Sequence, residues 1–179
     1  MGHHEVRSQG RASRTRSHRH SANELMRVDV REVGDADAEQ WGNLYAGYRS
    51  FYQLPADFAA VSTTWRWISQ GQYGFIGLVA VTSDGVLAGL ANLRRFARPS
   101  VAATGLYLDD LYTAPASRGL GVASALLRAA AQRARDEEAS VVRWITAADN
   151  QVARRLYDQL AVQTHWVTYD MRPAELERG

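Results

Sequence analysis

The run from Leu106 to Leu127, LYLDDLYTAPASRGLGVASALL, limits this chain to a small set of folds. A strand with two adjacent carboxylates, Asp109 and Asp110, ends at Pro115. The turn Arg118-Gly119-Leu120-Gly121-Val122-Ala123 then opens directly into an Ala/Leu-rich helix. Glycines remove Cβ where a backbone bends sharply or lets a ligand come close. The first amides of a helix have no intrahelical partner, so an anion satisfies them. Arg118 can add a charge-assisted bond to a phosphate oxygen. Glycines between a strand and a helix also serve packing alone, and the turn by itself is compatible with either role. It is not a P-loop, which needs a Lys that this chain lacks. It also lacks the third glycine of the dinucleotide fingerprint.

The periodicities along the rest of the chain alternate between those of strands and helices. Arg27–Val33 reads as a first strand. Asp35 or Asp37 can cap a helix whose one face carries Trp41, Leu44, Tyr45, Tyr48 and Tyr52. A second helix is expected over Val61–Ser69. Tyr73–Val81 and Val86–Phe96 read as a hairpin about Ser83-Asp84-Gly85. Ala97–Gly105 reads as a loop, Leu106–Thr113 as a strand, and Leu120–Arg135 as a helix with an Ala123, Leu126, Leu127, Ala130, Ala134 stripe. Val141–Thr146 is an expected strand, Asn150–Leu160 a helix and Trp166–Met171 a last strand. The order is mixed α/β, with helices covering one sheet and no repeats.

Composition narrows the chemistry. The 179 residues suit one domain, and 46% hydrophobic residues can bury a core. No apolar run reaches the ~18 residues of a membrane span. Without Cys there is no disulfide framework, thiol nucleophile or Cys-ligated zinc, which fits a cytoplasmic protein, and no metal is expected. Without Lys there is no Schiff-base chemistry. Five of the 21 basic residues and two of the 19 acids lie within residues 1–25, so that stretch carries +3 and the rest −1. This Arg/His-rich leader has few apolar residues, no periodicity and no signal-peptide core, and is expected to be disordered. It reads as a solvated leader, an expression remnant, or a start upstream of Met26. A weak metal site or a nucleic-acid-binding arm would need aromatics or a groove that the stretch does not offer. The expected divisions are therefore residues 1–25, a folded domain over 26–173 and a short tail, 174–179.

Two motifs carry a resemblance. Arg118, Gly121 and Ala123 fill the acetyl-CoA signature of the GNAT N-acetyltransferase superfamily: Gln or Arg, two residues, Gly, one residue, then Gly or Ala. Asn150-Gln151-Val152-Ala153-Arg154-Arg155-Leu156-Tyr157 looks like the family's Asn, Ala, Leu-Tyr helix, about 30 residues on. Leu-Asp-Asp-Leu-Tyr at 108–112 resembles the acidic strand of the polyamine and diamine enzymes. Trp41 to Tyr52 is similar to the first helix of the branch holding the yeast histone- and polyamine-type enzymes. The resemblance covers roughly Met26 to Met171. It implies the GNAT fold: a central mixed, largely antiparallel sheet of about six or seven strands flanked by about four helices. It further implies acetyl-CoA as cosubstrate, a small diamine, polyamine or amino-acid-like compound as acceptor, and a possible homodimer; the alternatives are a protein lysine or an aminoglycoside as acceptor and, in another class, a non-catalytic acyl-CoA-binding module, while the composition points to no membrane or nucleic-acid partner. Two departures stand out: Ala161-Val162 replaces the usual Gly-Phe, and Thr113 a more usual Val.

Acetyl transfer to an amine needs a neutral nucleophile. An alkylamine with a pKa near 10.4 costs roughly 4–5 kcal/mol to deprotonate at pH 7, which a general base can share. The leaving thiol, with a pKa of roughly 8.5, is less demanding. With no Cys and no Ser–His pair in the folded region, direct attack in a ternary complex is the natural scheme. Asp109 and Asp110 are the base candidates, or else solvated structural acids. Adjacent strand positions face opposite sides, so they serve one atom only if a bulge intervenes. By resemblance Tyr157 is the general acid, its alternative being an amphipathic core tyrosine. Asn150, with Arg154 in the same motif, contacts the pantetheine arm, its alternative being a helix N-cap. The turn from Arg118 through Gly119, Leu120, Gly121 and Val122 to Ala123 would hold the pyrophosphate. Backbone groups of Leu111 and Thr113, with Tyr112 between them, would pair with pantetheine like an added strand. Tyr48, Tyr52 and Trp166 are candidates for the acceptor pocket, with core packing as the alternative for each.

Overall fold

The computed structural model describes residues 28–173, so the expected leader and C-terminal tail lie outside the described residues. In chain order the elements are β1 (Asp29–Glu32), α1 (Ala38–Phe51), α2 (Phe58–Ser69), β2 (Phe75–Val81) and β3 (Leu87–Arg98). They continue with β4 (Ala103–Thr113), α3 (Val122–Asp136), β5 (Val142–Arg143) and α4 (Gln151–Leu160). The strands form one sheet in the order β1-β2-β3-β4-β5. The first three pairings are antiparallel and β4 pairs with β5 in parallel. The chain divides into two compact units, one ending at Ile145 and one beginning at Thr146.

In the first unit each face of the sheet is buried by helices. Leu90 and Val79 pack with Trp41, Leu44, Tyr45 and Tyr112 under α1, and with Ile68 of α2. On the opposite face a Cβ at Gly89 would strike Val122 and Leu126 of α3, 2.8 and 3.3 Å away. The α3 stripe Val122, Leu126, Leu127, Ala130 and Ala134 is buried, as a 3.6-residue period requires. Helix α2 opens on Asp57, whose carboxylate accepts from the Ala60 N–H at 2.9 Å. Asp37 precedes α1 without capping it by its side chain. Its oxygens instead take both Arg31 Nη groups, at 2.6 and 2.8 Å, and the Gly34 N–H at 2.8 Å. That fork-like pairing with Arg31 holds the Asp37 carboxyl below the usual carboxylate range.

Several expectations need correction. The segment Ala97–Gly105 is not a loop. β3 and β4 run on to Arg98 and Ala103, leaving only a short turn over Pro99–Val101. Phe96 and Tyr107 meet edge-to-face at 6.3 Å, and such cross-strand aromatic pairs support the longer hairpin. Helix α2 begins three residues before Val61, where Asp57 caps it. The strand expected over Val141–Thr146 shrinks to Val142–Arg143. The expected last strand at Trp166–Met171 does not form, so the described sheet has five strands, flanked by α1, α2 and α3. Those residues alternate as a strand would, but Trp166, Val167, Tyr169 and Met171 are exposed, so no sheet edge covers them. In the second unit α4 has no buried residue, and Asn150 caps it by accepting from the Ala153 N–H at 3.4 Å.

Candidate active site

A β-bulge sets the geometry of the acids. On β3, Asn92 pairs with Asp110 and Leu93 pairs with Leu108, so Asp109 is the extra residue on β4. Counting outward from the bulge gives the facing of each side chain. Tyr112, under α1, fixes Asp110 on the α1 face, two residues away. Below the bulge Leu108 faces α3 with Leu93, so Asp109 also turns to the α1 face. The condition that the two acids needed in order to act together is met. Both charges, after burial, push the Tyr45 phenol up.

The two acids sit in different surroundings. Asp109 keeps 27% of its side chain exposed and is paired with Arg94, whose Nε lies 2.9 Å from Oδ2 and 3.1 Å from Oδ1. Asp110 is half-buried, accepts from Asn92 Nδ2 at 2.9 Å, and is hydrogen-bonded by the Tyr48 hydroxyl. Burial pushes the Asp110 carboxyl above the ordinary Asp value, and the Asn92 and Tyr48 bonds hold it back. Burial also raises Asp109, against the pull of Arg94. Tyr48 is raised by burial and then by Asp110, so its phenol stays a donor. Tyr52 stands edge-on to Tyr48 at 5.0 Å and is raised by the same two causes.

Just along β4, the edge away from β3 is open. β5 pairs only with Leu106 and Tyr107, so from Leu108 onward no described strand covers it. Ala114 donates to the Ala88 carbonyl at 2.9 Å, which fixes the phase of the ladder. Tyr112 therefore turns its backbone groups toward β3, and Leu111 and Thr113 turn theirs toward the open edge. The Tyr112 ring is held beneath α1 because Gly47 has no side chain, and a Cβ there would lie 2.6 Å from the Tyr112 hydroxyl.

Beyond Thr113 the chain makes a single turn over Pro115–Ser117 and enters the glycine segment. Gly119 and Gly121 have φ of 76° and 83°, in the left-handed region that favours glycine. A Cβ on either would meet nothing within 4 Å, so close packing is not why they are glycines. Among the described residues, no acceptor takes the backbone N–H groups from Gly119 to Ser124. Leu120, Val122 and Ala123 thus belong to a run of unmet donors at the start of α3. Arg118 stands exposed beside it, its guanidinium 5.8 Å from the Phe51 ring and 5.9 Å from the Tyr112 ring. Donors of this kind fit the phosphates of an acetyl-CoA molecule.

The remaining candidates lie in the second unit. Asn150 accepts from Ala153 and donates to Thr146 Oγ1 at 3.2 Å. Arg154 donates to the Ala148 carbonyl at 2.6 Å and to Gln163 at 3.2 Å. Tyr157 is half-buried on α4, and Trp166 is exposed outside any strand. Sequence reasoning missed Asn92 and Arg94. They follow the apolar run Leu87–Ala91 at a spacing of two, which places them on one strand face but not opposite the acids.

A protein-family model described as the acetyltransferase (GNAT) family matches residues 38–161. A D-amino-acid N-acetyltransferase of Saccharomyces cerevisiae is 26% identical over 144 residues, 80% of this chain and 89% of that protein. Among solved structures, a ribosomal-protein-alanine N-acetyltransferase of Brucella melitensis superposes with a TM-score of 0.69. It is 24% identical, over 82% of this chain and 99% of that one. An aminoglycoside N-acetyltransferase in complex with CoA superposes with a TM-score of 0.71 at 17% identity, over 83% and 96% of the two chains.

Proposed function

The chain belongs to the GNAT acetyltransferase family and is an acetyl-CoA-dependent N-acetyltransferase, and from that premise we propose how it works and on what. The acceptor is a small primary amine, a diamine, polyamine or amino-acid-like compound, acetylated by direct attack in a ternary complex. The carrying observation is the bulge, which turns Asp109 and Asp110 to one face and leaves Asp110 half-buried with neutral partners. The Saccharomyces relative's name brings amino acids within this range of acceptors.

Asp110 is the general base. A carboxyl raised by burial is a better proton acceptor than an ordinary Asp, and its hydrogen bonds aim it. It takes one proton from the acceptor ammonium. The amine nitrogen then bonds to the acetyl carbon, the carbon–sulfur bond breaks, and the sulfur takes a proton from the Tyr157 phenol. The second proton on nitrogen leaves to solvent. Acetyl-CoA supplies the activated thioester. The amides from Gly119 to Ala123, with Arg118, hold its phosphates. The outward backbone groups of Leu111 and Thr113 align its amide arm along the open edge of β4. Asn150 and Arg154 of α4 are assigned to the same arm. Tyr48, Tyr52 and Trp166 are assigned to the acceptor.

The test is thiol release from acetyl-CoA with diamines, spermidine, amino acids, a histone-tail peptide and an aminoglycoside. Turnover with small amines supports the reading. Asp110→Asn should lower kcat by about 100-fold or more, the usual size of general-base catalysis. Turnover confined to the peptide or the aminoglycoside would overturn the small-amine assignment. Tight acetyl-CoA binding with no turnover would indicate a binding module instead.

A further inference from the structure

We propose that Arg118 guards the open edge of β4. In the free protein its guanidinium stands where the amide arm of the cosubstrate must lie, and only a thioester that carries a pyrophosphate draws it away. This rests on the arm and the phosphates lying where the proposed function puts them, and it adds a selection step to that reading. The phase of the ladder turns the Thr113 carbonyl toward the open edge. That carbonyl is already engaged. The single turn over Pro115–Ser117 folds the chain back, and Arg118 Nε donates to the Thr113 oxygen at 3.4 Å. A side chain five residues on thus covers the acceptor that an added strand would use.

The hold on Arg118 is weak at every point. Its bond to Thr113 is longer than a usual N–H···O bond. The rings of Phe51 and Tyr112, at 5.8 and 5.9 Å, stand near the outer limit of a cation–π contact. All three partners are neutral, and the side chain is exposed. Among the described residues no carboxylate pairs with it. A pyrophosphate on the amides from Gly119 to Ala123 would arrive beside this unmatched cation. A guanidinium bonds an anionic oxygen roughly twice as strongly as a neutral one. The cation therefore changes partners and leaves the Thr113 carbonyl to the arm. A thioester without phosphates offers no such exchange and competes with Arg118 for that carbonyl.

Arg118 then acts in two opposed ways. It strengthens the binding of acetyl-CoA and weakens that of short thioesters. A residue that only bound phosphate would do the first alone. Phe51, the last residue of α1, serves as the rest against which the guard lies.

The experiment measures dissociation constants of acetyl-CoA and of S-acetylpantetheine, which lacks the phosphates and the nucleotide, by NMR titration of the full chain. In Arg118→Ala acetyl-CoA should bind about 10-fold or more weakly, the loss of a charge-assisted bond. S-acetylpantetheine should bind about 2–5-fold more tightly, the range of exposed cation–π contacts. A gain in affinity is an outcome that damage to the fold does not produce. Phe51→Ala loosens the guard but keeps the cation. It should tighten both ligands in the wild-type background and neither in Arg118→Ala. S-acetylpantetheine bound no better by Arg118→Ala, or bound by neither protein, would overturn the guard, and weakened acetyl-CoA in the same variant would leave the phosphate reading standing. Tightening by Phe51→Ala that persists in Arg118→Ala would overturn the guard as well. Acetyl-CoA bound equally by Arg118→Ala and wild type would remove Arg118 from the phosphates and overturn both.

Discussion

Asn92 has no exposed surface, and its Oδ1 has no partner among the described residues. A buried orphan acceptor is destabilising, so its retention points to the other end of the amide, which donates to Asp110. That bond favours the ionised carboxylate. Asn92→Leu keeps the volume roughly constant and removes the donor, and Tyr48→Phe removes the second one. Each should therefore move the Asp110 pKa further up. The base works ionised, so activity rises as pH climbs through that pKa. In both variants the acidic limb of kcat/KM against pH should lie at higher pH than in wild type. An unmoved limb would show that Asp110 is not the group titrating. At this scale the sequence was partly legible. Asp109, Asp110 and the turn glycines announce themselves by type and spacing. Asn92 and Arg94 do not, because their meaning comes from what stands opposite them across the ladder.

At the scale of elements, one carboxylate ties three together. Glu137, just past α3, accepts from Arg95 of β3, with Nη2 to Oε1 at 2.5 Å, and also from Arg133 of α3. Arg133 in turn reaches Glu32 of β1. Arg95 first, then Arg133, holds Glu137 below its ordinary value of 4.5. A carboxyl depressed on folding contributes stability above its unfolded pKa and loses it as pH falls through its folded pKa. Glu137→Ala should destabilise the fold by about 1 kcal/mol at pH 7, a figure suited to a partly exposed pair. Melting curves of variant and wild type should converge as pH falls from the ordinary Glu range through the depressed folded pKa. A gap that persists in acid would assign the effect to packing instead. The elements themselves were mostly readable from periodicity. The long β3–β4 hairpin was not, because Arg94, Arg95 and Arg98 interrupt its alternation and Pro99 marks a turn shorter than the loop expected. Trp166–Met171 failed in the opposite sense: its alternation is that of a strand, but it pairs with no described strand.

At the scale of the whole molecule, burial is uneven. β2, β3 and α3 hold much of the core, whereas α4 has no buried residue. Amide hydrogens of α4 should exchange far faster than those of β3. If Asn150 and Tyr157 meet the cosubstrate, saturating acetyl-CoA should slow exchange in α4 as well as at the start of α3. Slowing at α3 alone would remove the second unit from the proposed site. The bulge has a consequence of another kind. Leu108 already faces α3 and Asp110 already faces α1, so β4 would be in phase even without the residue between them. Asp109 is an insertion that the fold's alternation never records. In genetic terms one codon gained at that point would bend the strand and add a second acid while every neighbour kept its place. Losing it would straighten the strand and strip Arg94 of its anchor, so the history of this site can turn on a three-nucleotide event.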